Sequence, residues 1–239
     1  MRERALSVLY IVKDEAEYLP YSLRSVHEAA DEVVVVDGYS SDGTDAVARA
    51  FPKVRLLRSR VEDYAALRNL ALAASVGRWV MPMDADMVFY ADAARRIPQL
   101  VASDADAYYS YFFHLMRDFG HVQNVADRDE RYRRLVLIRR TAALHWEGAV
   151  HEHPVGVGPR VLDAGIFFVH YGYVKPPRAI FRRWEKYARL EGDPDRYAGV
   201  NPDTILDDRP VRPFTREHPE AIREFVRRKE DASCGRGSS

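Results

Sequence analysis

The run Trp79-Val80-Met81-Pro82-Met83 is apolar throughout and leads straight to two carboxylates, Asp84 and Asp86. Short apolar runs without alternation suit strands buried on both faces, as in parallel sheets covered by helices. Two other runs share this form: Leu6–Val12, followed by Asp14 and Glu15, and Glu32–Val36, followed by Asp37. A further strand is expected over Val54–Leu57. Helices are expected over Glu17–Ala30, with Leu19, Leu23 and Val26 on one face, from the Ser41-Asp42-Gly43-Thr44 start signal to Phe51, and over Tyr64–Ser75, with Gly77 near its end. Strands and helices in alternation predict an α/β fold, a Rossmann-like, mostly parallel sheet with helices on both faces. Ligands of such sheets bind beyond the C-terminal strand ends, where all these acids fall. In a strand, residues i and i+2 point the same way, so Asp84 and Asp86 are expected to face one ligand. Oxygen donors suit Mg²⁺ or Mn²⁺, ions commonly held by one or two carboxylates together with substrate phosphates. The spacing therefore implies a metal–diphosphate site.

A helix over Ala91–Val101 closes this pattern. Strands over Ala107–Leu115, Arg133–Ile138 and Val161–Val169 then follow with shorter connections, so the rear half is mixed α/β. Pro176–Glu191 reads as a basic amphipathic helix with Ile180, Trp184 and Tyr187 on one side, packing its aromatic face on the core. Residues 192–213 read as irregular, 219–230 as a last helix and 231–239 as a disordered tail. The expected organisation is one catalytic domain over residues 1–230, with a nucleotide-binding half to residue 90 and an acceptor-binding half after it.

Composition narrows the partners. The 239 residues carry equal numbers of acidic and basic side chains, 36 of each, so no global charge attracts nucleic acid or anionic lipid. One cysteine, Cys234, excludes an intrachain disulfide framework and a cysteine-based zinc site. No apolar run reaches the roughly 18 residues of a membrane span. The expected location is the cytoplasm, with at most peripheral contact at the inner membrane face.

In Asp37-Gly38-Tyr39-Ser40-Ser41-Asp42-Gly43-Thr44, a carboxylate ends a buried strand and small residues follow. Such a carboxylate can accept hydrogen bonds from a nucleobase edge or a ribose, and glycine lets backbone approach a ligand closely. Ser41 and Asp42 suit a helix cap. Together with Ile11-Val12-Lys13-Asp14-Glu15, Arg68-Asn69 within Ala65–Ala71, and Asp84-Ala85-Asp86, this segment resembles the inverting family 2 glycosyltransferases of GT-A fold. The four elements match in order and spacing over about the first 90 residues, except that Asp14 stands where Asn is more usual. The resemblance implies that Asp14, Glu15, Asp37, Arg68 and Asp84 bind a nucleotide-sugar: Asp37 at the base or ribose, Arg68 at the base or diphosphate, Asp84 at the ribose or donor sugar. It implies that Asp86 ligates Mn²⁺ or Mg²⁺, that the donor is UDP-linked and that one hexose is transferred with inversion. Asn69 would brace its helix.

The segment Trp146-Glu147-Gly148-Ala149-Val150-His151-Glu152-His153 is similar to one that bacterial members carry near the acceptor site. Inverting transfer needs a carboxylate to take the acceptor proton. Glu152 is the expected base, with Glu147 and His151 as alternatives. The resemblance also implies that His170, after the strand Ile166–Val169, is a second metal ligand. A bacterial cell-envelope glycan, such as a lipid-linked lipopolysaccharide core, is the default acceptor, with modified DNA or protein left open. Two other readings remain: a nucleotidyltransferase of similar fold, disfavoured because no glycine follows the first strand, and a non-catalytic nucleotide-sugar-binding module. Oligomeric state has no sequence signal.

Overall fold

A computed structural model describes residues 5–129 and 132–234. In chain order the elements are β1 Leu6–Val12, α1 Leu19–His27, β2 Glu32–Asp37, α2 Thr44–Arg49, β3 Val54–Arg58, α3 Tyr64–Ala74, β4 Trp79–Met83, β5 Met87–Phe89, α4 Ala91–Val101, β6 Ala107–Met116, β7 His121–Gln123, β8 Arg133–Arg139, β9 His145–Glu147, β10 His153–Val155, β11 Val161–Tyr173, α5 Pro177–Leu190, β12 Val211–Pro213 and α6 Glu220–Cys234. The expected strands β1 and β4 and the helix α4 have the boundaries read from the sequence. α6 runs past Asp231, the expected start of a tail; residues 235–239 lie outside the described ones. Five short strands, β5, β7, β9, β10 and β12, were not expected, the last within the segment read as irregular.

Strands β4, β1, β2 and β3 lie side by side and parallel. The chain winds outward from β1 to β3, then returns to place β4 on the other side of β1. The strand order therefore reverses between β1 and β4, and ligands bind at such a reversal in open α/β sheets. β8 pairs antiparallel with β4, β6 antiparallel with β8, and β11 parallel with β6. These directions bring the C-terminal ends of β1, β2, β4, β6 and β11, and the start of β8, to one edge.

The two faces are covered by different residues of the same strands, as the period of two requires. Val8, Tyr10, Val33, Val35, Trp79 and Met81 pack on one side with Leu19, Leu23 and Val26 of α1 and Ile97 of α4. Leu9, Ile11, Val34, Val36 and Val80 pack on the other with Ala65, Leu67, Ala71 and Leu72 of α3. Asp63 caps α3, its carboxylate accepting from the Ala66 N–H at 2.7 Å. No helix among the described residues is long and apolar enough to cross a membrane.

Gly77 joins α3 to β4 where backbones nearly touch. Its N–H donates to Ser7 Oγ at 2.7 Å, and a Cβ there would stand 2.6 Å from the Ser7 nitrogen and 2.9 Å from the Trp79 carbonyl oxygen. Both neighbours are backbone in buried strands and cannot yield cheaply. Gly77→Ala is expected to destabilise the fold by about 1–3 kcal/mol, the usual range for overpacking, measured by urea denaturation.

Candidate active site

Arg68 organises the edge. It lies on the stripe of α3 that also carries Ala65, Ala71 and Leu72, and its side chain has no solvent exposure. Nη1 donates to the carbonyls of Leu9 on β1 (3.1 Å) and Met83 on β4 (2.7 Å), the two strands that flank the order reversal. Nη2 bonds Asp84, and Nε donates to Glu152 Oε1 at 3.0 Å. Pro82, aligned with Leu9, brings no N–H of its own to the ladder. The Arg68 guanidinium is turned inward and engages four protein acceptors.

A turn, closed by the Met87 N–H on the Asp84 carbonyl at 3.1 Å, separates the two aspartates. The strand rule for i and i+2 does not apply across it, and the acids join different cations. Asp84 meets Arg68 and, at 2.5 Å, Arg134 at the start of β8. Burial raises its carboxyl pKa, but Arg134 and Arg68 outweigh that and hold it well below the usual range. Asp86 is nearly buried. Its Oδ2 lies 2.9 Å from Lys175 Nζ and 3.8 Å from Arg183, and its Oδ1 lies 3.3 Å from His170 Nε2. Burial acts upward here too, and Lys175 and His170 overcome it, leaving Asp86 ionised. Lys175 also donates to both oxygens of Glu15, at 2.5 and 2.7 Å. Burial, with Asp86 next to it, nevertheless lifts Glu15 to about 7.

His170 reaches Asp86 because residue 172 is glycine: a Cβ there would stand 2.4 Å from His170 Cε1. Across the strand pair, His170 is in register with His114 of β6, ring centroids 4.5 Å apart. Both His114 nitrogens and His170 Nδ1 are buried with no hydrogen-bond partner among the described residues. Burial and the neighbouring His170 keep His114 neutral. Among the described residues, no three His, Cys, Asp or Glu side chains are grouped so as to hold a metal ion.

The remaining expected residues divide. Asp37 is wholly buried: it accepts from Ser40 Oγ at 2.5 Å and faces Arg58 at 3.7 Å, contacts that order the loop after β2. Asp14, at φ +53°, takes the Ser41 N–H at 2.7 Å and ties the β1 loop to the β2 loop. Glu152 lies in the loop between β9 and β10 and is drawn inward by Arg68. Glu147 points outward to His145, and His151 packs against Tyr187. Asn69 braces more than its helix: its amide exchanges two hydrogen bonds with the Trp146 backbone, at 2.9 and 2.8 Å. The sequence reading gave no role to Arg134, Lys175, Arg183 or His114. Arg134, His114 and Lys175 lie near strand ends that the pairing brings to one edge, and Arg183 reaches the same edge from α5.

The sequence model of Glycosyl transferase family 2 matches residues 7–147, more than half of the chain. The chain belongs to that family. It is 42% identical over 81 residues to a TPR repeat-containing protein of Synechococcus elongatus, covering 34% of this chain and 20% of that protein. It is 29% identical over 112 residues to an uncharacterized glycosyltransferase of Rickettsia felis, covering 46% of this chain and 39% of that one. The aligned part thus spans a fifth to two-fifths of these relatives' lengths. A solved mannosyltransferase of Pyrobaculum calidifontis, in complex with GDP-Man and Mn²⁺, superposes over 96% of this chain and 70% of its own, with TM-score 0.51 and 16% identity. That likeness concerns the fold, which is GT-A. Glu152, His170 and Lys175 lie beyond the family match.

Arg68→Met would leave Asp84, Glu152 and two carbonyls without their shared donor. Breaking a buried ion pair from one side costs about 3–5 kcal/mol, and a loss of that size is expected in urea unfolding.

Proposed function

We propose that the chain transfers one sugar, with inversion, from a nucleoside-diphosphate sugar to a hydroxyl acceptor. The observation that carries this reading is the cluster at the β1/β4 reversal: Glu15 and Asp86 enclose a cation, and Glu152 is held beside them through Arg68 and Asp84. A diphosphate with its counter-ion fits the first group and an acceptor hydroxyl the second. In the transfer, the acceptor oxygen forms a bond to the anomeric carbon and the bond from that carbon to the diphosphate oxygen breaks. The nucleoside diphosphate leaves with the electron pair, and the acceptor proton passes to Glu152. Glu152 Oε1 is engaged by Arg68, so Oε2 is the proton's destination. Arg68 acts as a positioning residue. Asp84 faces the ribose or donor sugar, while Asp14 and Asp37 order the loops at the base end.

The residues suit a divalent cation. The Lys175 ammonium already stands as a positive charge between Glu15 and Asp86. One carboxylate and one imidazole, Asp86 and His170, are donors acceptable to Mn²⁺, and phosphate oxygens commonly supply the rest. When bound, the ion would stabilise charge on the departing diphosphate. Lys175 must move aside for it. The donor base is taken as uracil and the sugar as a hexose, with a bacterial envelope glycan, free or lipid-linked, as acceptor. The basic helix α5 is largely self-engaged, Arg178 with Asp203, Arg189 with Glu62 and Lys186 over Tyr64. This favours packing over a membrane role.

The test is thermal shift with UDP-, GDP-, dTDP- and CMP-sugars, with and without Mn²⁺. A Mn²⁺-dependent rise with one nucleotide class is expected; no rise with any donor would overturn the reading. Glu152→Gln is expected to lower turnover by roughly 10²–10⁴-fold, the usual share of general-base catalysis, with donor binding retained in calorimetry. Lys175→Met removes the competing cation. Mn²⁺ affinity of the donor-free protein should then rise roughly tenfold, about 1.4 kcal/mol, as read by electron paramagnetic resonance.

A further inference from the structure

Tyr39 sits in an unusual position for a tyrosine. Its φ is +60°, in the left-handed region that costs a non-glycine residue roughly 1–2 kcal/mol. Its side chain joins no core cluster, and the residue is 41% exposed. The surrounding loop holds it there. Lys13 Nζ donates to the Tyr39 carbonyl at 2.5 Å, and the Ser40 N–H and hydroxyl are fixed on buried Asp37. Two arginines attend the ring: the guanidinium carbon of Arg60 lies 4.2 Å from the centroid and that of Arg58 lies 5.8 Å away. Arg58 is in register with Asp37, at the C-terminal ends of β3 and β2. An exposed ring kept in a disfavoured backbone state at a ligand-binding edge calls for a function. Asp37 is covered by Ser40 and Arg58, so the group that this end of the sheet offers to a ligand is the Tyr39 ring with its arginine.

We propose that Tyr39 and Arg60 form the stacking wall of the nucleobase subsite, an affinity-determining element of the donor site. Planar bases stack on aromatic rings and on guanidinium planes, and such contacts add affinity for any base. This inference rests on the nucleotide-sugar reading above. The diphosphate end of the donor would lie at Glu15 and Asp86, and the base end at the β2 and β3 termini. The β1 and β2 loops, joined by Asp14 and Ser41, connect the two.

The experiment is calorimetric titration of the full chain with UDP, GDP and, as a base-free probe, pyrophosphate, all with Mn²⁺. Tyr39→Asn removes the ring but keeps a residue that tolerates positive φ. It is expected to weaken the nucleoside diphosphate that binds by about tenfold, within the range of a single base–aromatic stack, and to leave pyrophosphate unchanged. Its melting temperature should stay level or rise, because the strain is relieved. Tyr39→Phe, which keeps the ring, should bind as the parent does. Unchanged nucleotide affinity in Tyr39→Asn, or an equal loss for pyrophosphate, overturns the stacking wall alone. A parent protein that binds neither nucleotide overturns the donor reading itself, and the wall with it.

Discussion

A charged side chain removed from water must find its partners inside the protein, and Arg68 finds four. An unpaired buried guanidinium would be prohibitively unfavourable, so the surrounding backbone and carboxylates are constrained to remain where they satisfy it. Two of those partners are the carbonyls of Leu9 and Met83. The others are Asp84, just past the end of β4, and Glu152, on a loop 84 residues beyond Arg68. Local sequence cannot bring such distant groups together. The buried ion set supplies the link, favouring arrangements of the rear half that return Glu152 to the strand ends.

The same edge carries two ion groups. Asp84 and Asp86, two residues apart, belong to separate ion groups because the chain turns between them. The Asp84 group draws Arg68 from α3 and Arg134 from β8. The Asp86 group is differently composed: Lys175 is shared between Glu15 and Asp86, His170 meets Asp86 through one nitrogen only, and His114 beside it bonds to nothing among the described residues. Buried polar atoms are normally satisfied. The His114 ring, buried without a hydrogen-bond partner among the described residues, stands beside His170 and this lysine-filled acidic cleft.

Much of the front half was legible because its physics is local. Valine-rich runs, helical spacing and acids at strand ends fix β1, β2 and β4 and the edge at which they open. The rear half was less so. Three-residue strands such as β9 and β10, with His145, Glu147 and His153 among their residues, have too few positions for a period to show. Arg68 invites misreading, since arginine on an Ala- and Leu-rich helix is ordinarily solvated. Its place on the Ala65, Ala71 and Leu72 stripe was the available clue. Lys175 had weaker signals still, because a basic stretch reads as a wetted helix face until the pairing of β11 with β5 and β6 brings its end beside Asp86. Asp37 ends β2 as the strand-end rule requires, and the loop that follows folds back over it.

α3 is the element through which these parts act together. Arg68 holds the floor at β1 and β4 and reaches Glu152. Asn69, the next residue, holds the Trp146 backbone of β9, and the Tyr64 N–H donates to the Ala149 carbonyl at 3.0 Å. Three residues of one helix therefore fix the loop bearing Glu152 at three points, through backbone and ionic contacts rather than through flexible packing. A catalytic group needs placement within a fraction of an ångström, and sites built on rigid elements achieve this better than free loops. The helix face carrying Arg68 is thus both part of the core and the frame on which the two halves of the site keep their spacing, which ties the geometry of the chemistry to the stability of the sheet.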